Sequence, residues 1–571
     1  MTGFSIEFLR FDRDDIGGMD KQNDRFWNWP VTYVLHGEDK VYVGESQNVA
    51  TRMSHHLANA EKAGSLREIR IVVDETFNKS VCLDLESTLI RWFAGDGRLA
   101  VLNRNDGITN ADYYRRDDYQ QVFKQVFDEL RQAGLFERTI PAIENSDLFK
   151  LSPFKALNTD QAAAVESILE GLVEDLAAGH DSLSIVDGVP GTGKTVVGIY
   201  LVKLLRDIAE YEPNEDIDPD SFFAEFFVED VRELFDGLRI GLVIPQQSLR
   251  GSVRRVFSKT PALRETAVLS PFDVGESSDQ WDVLIVDEAH RLNQLAAQPH
   301  GTLTKKFKEI TAALFGGPDE SKTQLDWIRA KARHTILLLD TGQSVRPADM
   351  NPQDFEPVID HAKAGNRWYP LHSQMRVEGG SQYIDFVRSC FSDDPPETIP
   401  DFGTYDFRVF DDLEEMVQAI RDRDGEVGLS RLVAGYAWDW RSRRDKTAFD
   451  IEVGDVRLRW NVKQVDWINS RTSRDEVGSI HTVQGYDLNY AGVIIGEDIR
   501  RDAQSGRLYV DRNRYRDSAG KRNNPMRGRV TTDADLLRYI RNIYSTLMTR
   551  GIKGTYVYRC RAEGDPDAIV I

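Results

Sequence analysis

The feature that most constrains this chain is the octapeptide Gly188-Val-Pro-Gly-Thr-Gly-Lys-Thr195, set between the apolar run Leu183–Val186 and the helical pattern Val196–Leu205. It satisfies G-x-x-x-x-G-K-[ST] in full and lies in the strand–turn–helix context that the pattern needs. Glycines let the backbone N–H groups of such a turn face a single point, and the helix start adds its positive end, so the matching ligand is a polyphosphate. Gly188, Pro190, Gly191, Thr192 and Gly193 then form the cradle of an ATP site. Lys194 neutralises the β- and γ-phosphates, and the Thr195 hydroxyl ligates Mg²⁺.

A turn of this kind belongs at the edge of a parallel sheet, and the rest of the sequence supplies one. From Leu157 onward short apolar runs alternate with helical patterns: Ser184–Val186, Ile240–Ile244, Val283–Val286, Thr335–Leu339, Leu432–Tyr436 and Gly492–Ile495. This alternation predicts an α/β fold of parallel sheets with helices on both faces. Upstream, Val31–Leu35 and Lys40–Val43 flank a His-Gly-Glu-Asp turn and read as a hairpin. A helix over Val49–Ala63, a strand at Ile69–Val73 and a helix through Val81–Phe93 complete a small α/β unit. A chain of 571 residues needs two to four domains of roughly 100–200 residues each. The expected divisions are 1–110, a helical connector 111–156, a first ATPase lobe 157–358, and a second lobe 359–571 with a basic insertion 500–529.

The loop has a partner in Trp281-Asp-Val-Leu-Ile-Val-Asp287-Glu288-Ala289-His290, a buried-type strand that ends in two adjacent carboxylates. Asp287 would hold Mg²⁺ through its water shell, and Glu288 would orient and deprotonate the attacking water.

Charge is segregated. The net charge of −21 excludes a protein that coats nucleic acid through bulk positive charge, while leaving a nucleic-acid enzyme open. Acidic residues crowd Asp207–Asp236, which reads as a solvated excursion, and Arg500–Arg529 gathers arginines around Tyr509 and Tyr515, a composition suited to phosphate contact and base stacking. Three scattered cysteines suggest neither a disulfide framework nor a zinc site. No run approaches the ~20 apolar residues of a membrane span, and the N-terminus lacks a signal peptide's apolar stretch, so a cytoplasmic protein without membrane contact is expected.

Further motifs carry a resemblance. Leu157-Asn-Thr-Asp-Gln161, Leu339-Asp-Thr-Gly-Gln343, Leu371-His-Ser-Gln-Met-Arg376, His481-Thr-Val-Gln484-Gly485-Tyr-Asp487 and Tyr544-Ser-Thr-Leu-Met-Thr-Arg550-Gly551 follow in order across some four hundred residues. With the phosphate loop and the Asp-Glu pair, they make Leu157–Tyr558 similar to a superfamily 1 helicase core of the Schlafen-like branch, with two RecA-like lobes. The resemblance implies that Gln161 reads adenine and Gln343 senses the γ-phosphate. It makes Arg376 and Arg550 arginine fingers in a second lobe, while Gln484 and Gly485 couple nucleotide to nucleic acid. Leucine replaces the first glycine of the motif at 339–343.

Residues 31–103 resemble a GIY-YIG nuclease domain. Tyr33 stands in the first motif (Val31-Thr-Tyr33), Tyr42 in the second (Tyr42-Val-Gly44), Arg52 on the following helix, Glu86 in Leu83-Asp-Leu-Glu86, and Asn103 at the late Leu-Asn position. The resemblance implies metal-dependent phosphodiester cleavage, with Glu86 holding Mg²⁺ or Mn²⁺, Arg52 balancing charge and Tyr42 or Tyr33 accepting a proton. Val31-Thr32 replaces Gly-Ile. His55 and His56 read as solvated. The combined expectation is an ATP-driven helicase or translocase controlling a nuclease, with DNA the target ahead of RNA, in restriction-like defence against phage. A partner protein or self-association is open. The alternatives are a nucleotide-gated switch over an RNA-cleaving or inactive module, and a DNA-repair helicase-nuclease.

Overall fold

The computed structural model describes residues 3–19, 23–104, 113–212, 222–296, 301–340, 348–374, 376–463, 467–468, 470–483, 486–502, 504–518, 520–525 and 528–561. The chain forms two compact units. One comprises Met1–Glu166, Ile199–Gly237 and Ser252–Thr266; the other comprises Ser167–Gly198, Leu238–Gly251 and Ala267–Ile571.

The first unit is built on a five-stranded sheet of β1 (Phe4–Arg10), β2 (Val31–His36), β3 (Lys40–Ser46), β4 (Glu68–Asp74) and β5 (Ala100–Val101), in the order β1-β4-β2-β3-β5. Its pairings are antiparallel except β3 with β5. Period-two alternation sends Val31, Tyr33 and Leu35 to the face covered by helix Val49–Ala58, and Val34 to the opposite face. That opposite face is covered by helix Lys79–Asp96 and by Arg116–Gln132, whose Phe123, Val126, Phe127 and Leu130 form one apolar stripe. The segment expected as a connector thus contributes to this core. The acidic stretch departs further from expectation. Asp207 is buried, and Phe223, Phe226, Phe227 and Phe235 are core residues, so the described part is anchored by an apolar side, while Glu210, Glu212, Glu225, Glu229, Asp230, Glu233 and Asp236 are exposed as expected.

The second unit holds two sheets, giving the mixed α/β architecture with parallel strands that suits RecA-like lobes. The first contains β6 (Ser182–Gly188), β7 (Ile240–Val243), β8 (Ala267–Leu269), β9 (Trp281–Val286), β10 (Ala332–Leu339) and β11 (Trp368–Leu371), ordered β11-β6-β10-β9-β7-β8 and parallel throughout. β11 lies beyond residue 358 yet pairs with β6, so the crossing to the next sheet falls later than the sequence suggests.

The second sheet contains β12 (Asp406–Phe410), β13 (Ser430–Ala434), β14 (Ile451–Val453), β15 (Val456–Trp460), β16 (Glu476–Gly478), β17 (Leu488–Ile495) and, past the ribbon β18 (Ile499–Arg501) and β19 (Leu508–Val510), β20 (Gly551–Arg559). Its order is β12-β20-β17-β13-β16-β15-β14, parallel except for the hairpin β14/β15. Every side chain of β13 and β17 is buried, as expected of central strands covered on both faces. Among the described residues no helix is long and apolar enough to cross a membrane.

Candidate active sites

The phosphate loop joins β6 to helix Lys194–Ala209. Gly191 and Gly193 adopt φ of +89° and +81°, a region costly for any residue with a Cβ. A Cβ on Gly191 would also lie 2.3 Å from the Gln374 amide. The Lys194 ammonium donates to the carbonyls of Gly188 and Val189, the latter at 3.1 Å, and lies 3.6 Å from the Asp340 carboxylate. Thr195 Oγ1 donates to Asp287 Oδ2 at 2.8 Å. A hydroxyl and a carboxylate placed side by side beside a cradle of backbone N–H groups are a donor set that fits a hard cation bound with a polyphosphate. Thr195 and Asp287 are therefore the residues that could hold Mg²⁺.

Asp287 and Glu288 leave the end of β9, and both carboxylates are withdrawn from solvent. Burial and the adjacent Glu288 charge push Asp287 up to about 7. Burial also acts to raise Glu288, but the His290 ring, 3.0 Å away, and the charges of Arg291 and Lys194 outweigh it and hold Glu288 below the usual carboxylate range. Glu288 has φ of +51°, a left-handed backbone on a residue other than glycine. Such strain collects at sites that need a fixed side-chain direction.

Arg376 and Arg550 approach from the other side. Arg376 ion-pairs with Asp487, and Arg550 donates to the Tyr486 carbonyl at 3.3 Å. Arg550 is fully buried. That burial and the neighbouring Arg376 cation lower its pKa to about 9, while Asp487 and Glu288 oppose the shift. An arginine buried among other cations is costly unless something anionic offsets it. Gln374 Nε2 donates to the Pro190 carbonyl at 2.8 Å, and its Oε1 accepts from the Arg376 backbone N–H at 2.6 Å, linking the loop to the finger segment.

The sequence pointed to neither Arg291, His290 nor Gln374. The first two follow Asp287-Glu288 directly, and that adjacency was the available signal. Nothing in the sequence marks Gln246 and Ser248, which bond the His481 carbonyl and the Tyr486 hydroxyl. Gln161 belongs to a reciprocal cap. Its backbone N–H donates to Asn158 Oδ1 at 2.7 Å, and its Oε1 accepts from the Asn158 N–H at 3.2 Å. Gln343, Gln484 and Gly485 lie outside the described residues.

In the first unit, Tyr33 and Tyr42 stand on neighbouring strands with ring centroids 6.3 Å apart. Tyr33 pairs with Gly44, where a Cβ would sit 2.3 Å from the Tyr33 hydroxyl; the glycine makes room for the phenol. Helix Val49–Ala58, capped by Asn48, brings Arg52 and His56 onto one face at i,i+4. Both reach Tyr33, with His56 Nε2 2.7 Å from its oxygen.

The expectation of a solvated His56 is corrected by this geometry: the ring is buried. Burial and the charges of Lys62 and Arg52 depress its pKa to about 2. A neutral imidazole whose Nδ1 accepts from Lys62 Nζ (3.1 Å) carries its proton on Nε2, so His56 donates to Tyr33. The helix predicted over Val49–Ala63 breaks at Asn59, which caps a second helix, Ala60–Ser65. The break swings Lys62 back to 3.6 Å from the Tyr42 ring centroid. Burial, the Tyr42 ring and the Glu86 charge raise Tyr33 well above the usual phenol value, against Arg52. Thr32 donates to the Cys82 carbonyl at 3.1 Å, tethering β2 to the helix that carries Glu86.

Among the described residues no three His, Cys, Asp or Glu side chains gather as a metal cluster. Glu86 thus stands as a single carboxylate on helix Lys79–Asp96 and not as one of such a group. Asn103 is bound to the tyrosine strand. Its side-chain amide pairs with both backbone groups of Val43, at 3.1 and 2.7 Å.

The profile of the Schlafen group 3 DNA/RNA helicase domain matches residues 181–561, more than half of the chain. This chain belongs to that family. It is also similar to an uncharacterized protein of Saccharomyces cerevisiae, 25% identical over 457 residues, which cover 73% of this chain and 91% of the yeast protein. A helicase-type domain of this family is one of an ATPase acting on nucleic acid, and its matched span includes Lys194, Thr195, Asp287, Glu288, Arg376 and Arg550. Residues 1–180, with the tyrosine cluster, precede the match.

Within the Schlafen-type domain, the basic insertion differs from expectation. Tyr515 is fully buried and unable to stack on a base, whereas Tyr509 is 41% exposed. Arg501 is buried and donates to the carbonyls of Cys390, Ser392 and Gly506. Arg512, Arg514 and Arg516 pair with Asp533, Glu497 and Asp439. Much of this positive charge is spent within the fold.

Proposed function

We propose that this protein is an ATP-dependent nucleic-acid enzyme in which a helicase-type ATPase controls a metal-dependent endonuclease of the GIY-YIG type, acting on DNA in restriction-like defence. The observation that carries the reading is the convergence of Lys194, Glu288 and Arg291 with Arg376 and Arg550 around one phosphate loop. Glycine-loop N–H groups and Lys194 bind the phosphates. Glu288 takes a proton from the attacking water as its oxygen bonds to the γ-phosphorus and the bond to the bridging oxygen breaks. Arg376 and Arg550 balance the charge spread over the three equatorial oxygens, a service worth ~10³–10⁵ in rate where it has been isolated. Thr195 and Asp287 would hold Mg²⁺, which would supply further neutralisation.

In the N-terminal unit, Tyr42 is the proton acceptor. It is the more open of the two tyrosines, and the Lys62 ammonium lies over its ring. Tyr33, held by Arg52 and His56, orients the scissile phosphate, and Arg52 offsets charge on it. Glu86 would hold a divalent ion, which would supply Lewis acidity. The assay that tests the reading is cleavage of modified and unmodified plasmids, with and without ATP, by wild type, Lys194→Ala and Glu86→Ala proteins. Glu86→Ala should lose cutting and keep ATPase activity; equal cleavage by that variant sinks the nuclease assignment.

The internally paired arginines of the insertion favour a second reading, a switch that hydrolyses ATP without unwinding and licenses cleavage of RNA. Unwinding of tailed duplexes, run beside DNA and RNA cleavage, separates the two.

A further inference from the structure

Helix Lys194–Ala209 starts at the phosphate loop and ends in the other compact unit, which takes up the chain again at Ile199. It is apolar on nearly every side, yet Lys203 and Asp207 are both 2% exposed. Lys203 Nζ bonds both oxygens of Asp207, 2.6 Å to Oδ2. The order is the unfavourable one, with the cation nearer the helix N-terminus, and burial of both charges adds desolvation cost. A pair this costly is weak as a source of stability, which directs attention to its third partner.

That partner is the backbone carbonyl of Asn103, 3.3 Å from Lys203 Nζ. Residues 100–102 run parallel to β3, with Ala100 N–H donating to the Asp39 carbonyl and Leu102 N–H to the Val41 carbonyl. The next rung is made by a side chain: the Asn103 amide pairs with the N–H and C=O of Val43, between Tyr42 and Gly44. One residue further, Arg104 donates to the Glu210 carbonyl at 3.0 Å, just past the end of the same helix. Asn103, which braces the tyrosine strand, and the residue after it are thus both tied to the helix that opens at Lys194 and Thr195.

We propose that Lys203, fixed by Asp207, is a positioning residue for the tyrosine site and transmits the nucleotide state of the phosphate loop to β3 through Asn103. A helix rises 1.5 Å per residue, so Lys203 lies about 13 Å along a single rigid rod from Lys194. A shift of the first turn toward bound phosphates is carried to the Asn103 carbonyl, and its side chain moves the backbone that aims Tyr42. The inference rests on the nuclease reading for its consequence, but the mechanical tie can be measured without cleavage.

The test is hydrogen exchange on the full-length protein, with and without a non-hydrolysable ATP analogue and Mg²⁺, followed by cleavage. In the wild type, exchange of the Lys40–Ser46 amides should change by at least about fivefold on adding the analogue, the lower end of ordinary coupling between sites. Lys194→Ala should remove the response. The double variant Lys203→Met with Asp207→Leu removes both charges together, so neither is stranded. It should keep its circular dichroism spectrum and ATPase rate while the strand's response disappears and the ratio of cleavage with ATP to cleavage without falls to about one.

A wild-type strand indifferent to nucleotide overturns the proposal even if the double variant fails to fold. So does a double variant that responds like the wild type. A protein whose strand responds but which cuts neither DNA nor RNA overturns the nuclease reading and leaves the tie standing.

Discussion

The two candidate sites handle charge in opposite ways. At the phosphate loop, full charges are concentrated: Lys194, Arg291, Arg376 and Arg550 stand among Asp287, Glu288, Asp340 and Asp487, and burial beside Arg376 lowers Arg550 to about 9. At the tyrosine site the cations Arg52 and Lys62 are spread over phenols and a neutral imidazole, with the Glu86 charge acting on the same tyrosine. The first arrangement favours a polyanion as a whole; the second holds a few polar atoms in fixed directions. Binding and transition-state charge should dominate the first, and placement the second.

The largest effect that separates them is expected for Arg550→Ala, which should lower the ATPase kcat by about 10³-fold. Nucleotide affinity should change much less, and ATP-independent cleavage not at all. Steady-state ATPase assays with a fluorescent-nucleotide titration check this, and a variant that loses affinity and kcat together breaks the distinction.

Gly44→Ala should act in the reverse sense, because the new methyl would meet the Tyr33 hydroxyl. Overpacking of this kind costs about 1–3 kcal/mol, so cleavage should fall and the melting of the first unit should shift down, with ATPase activity retained. Cleavage rates and calorimetry read both.

A third effect, on stability alone, concerns a carboxyl away from either site. Burial raises Asp498 to about 7, and it accepts from the Tyr544 hydroxyl at 2.7 Å. A folded-state pKa above the unfolded one, near ~4, means that the favourable contribution is complete below pH ~4 and is lost as pH rises toward 7. Asp498→Asn keeps the acceptor oxygen and cannot ionise. Its Tm should therefore gain on the wild type between pH 4.5 and 7.5, and parallel Tm profiles would remove Asp498 as a contributor.

The phosphate loop was readable because phosphate chemistry imposes a contiguous motif, with the strand before and the helix after it fixed by apolar period. The tyrosine site was readable residue by residue but not as a network. His56 looked solvated because its neighbours on the helix are polar, and Lys62 was hidden by a helix break that a single asparagine imposes. β11 escaped because four residues, Trp-Tyr-Pro-Leu, carry too little pattern to mark an edge strand. In the basic insertion, composition said where arginines are but not that their partners come from Glu497, Asp439 and Asp533. Ion pairing between distant segments leaves no local trace.

The backbone of Glu288 has a consequence for how this protein can change. A left-handed conformation favours glycine, so replacing Glu288 by glycine would relieve backbone strain, yet it would also withdraw the negative charge that faces His290, Arg291 and Arg550. Backbone preference and charge balance therefore pull in opposite directions at position 288. The residue that the backbone would prefer is the one that the surrounding cations do not permit.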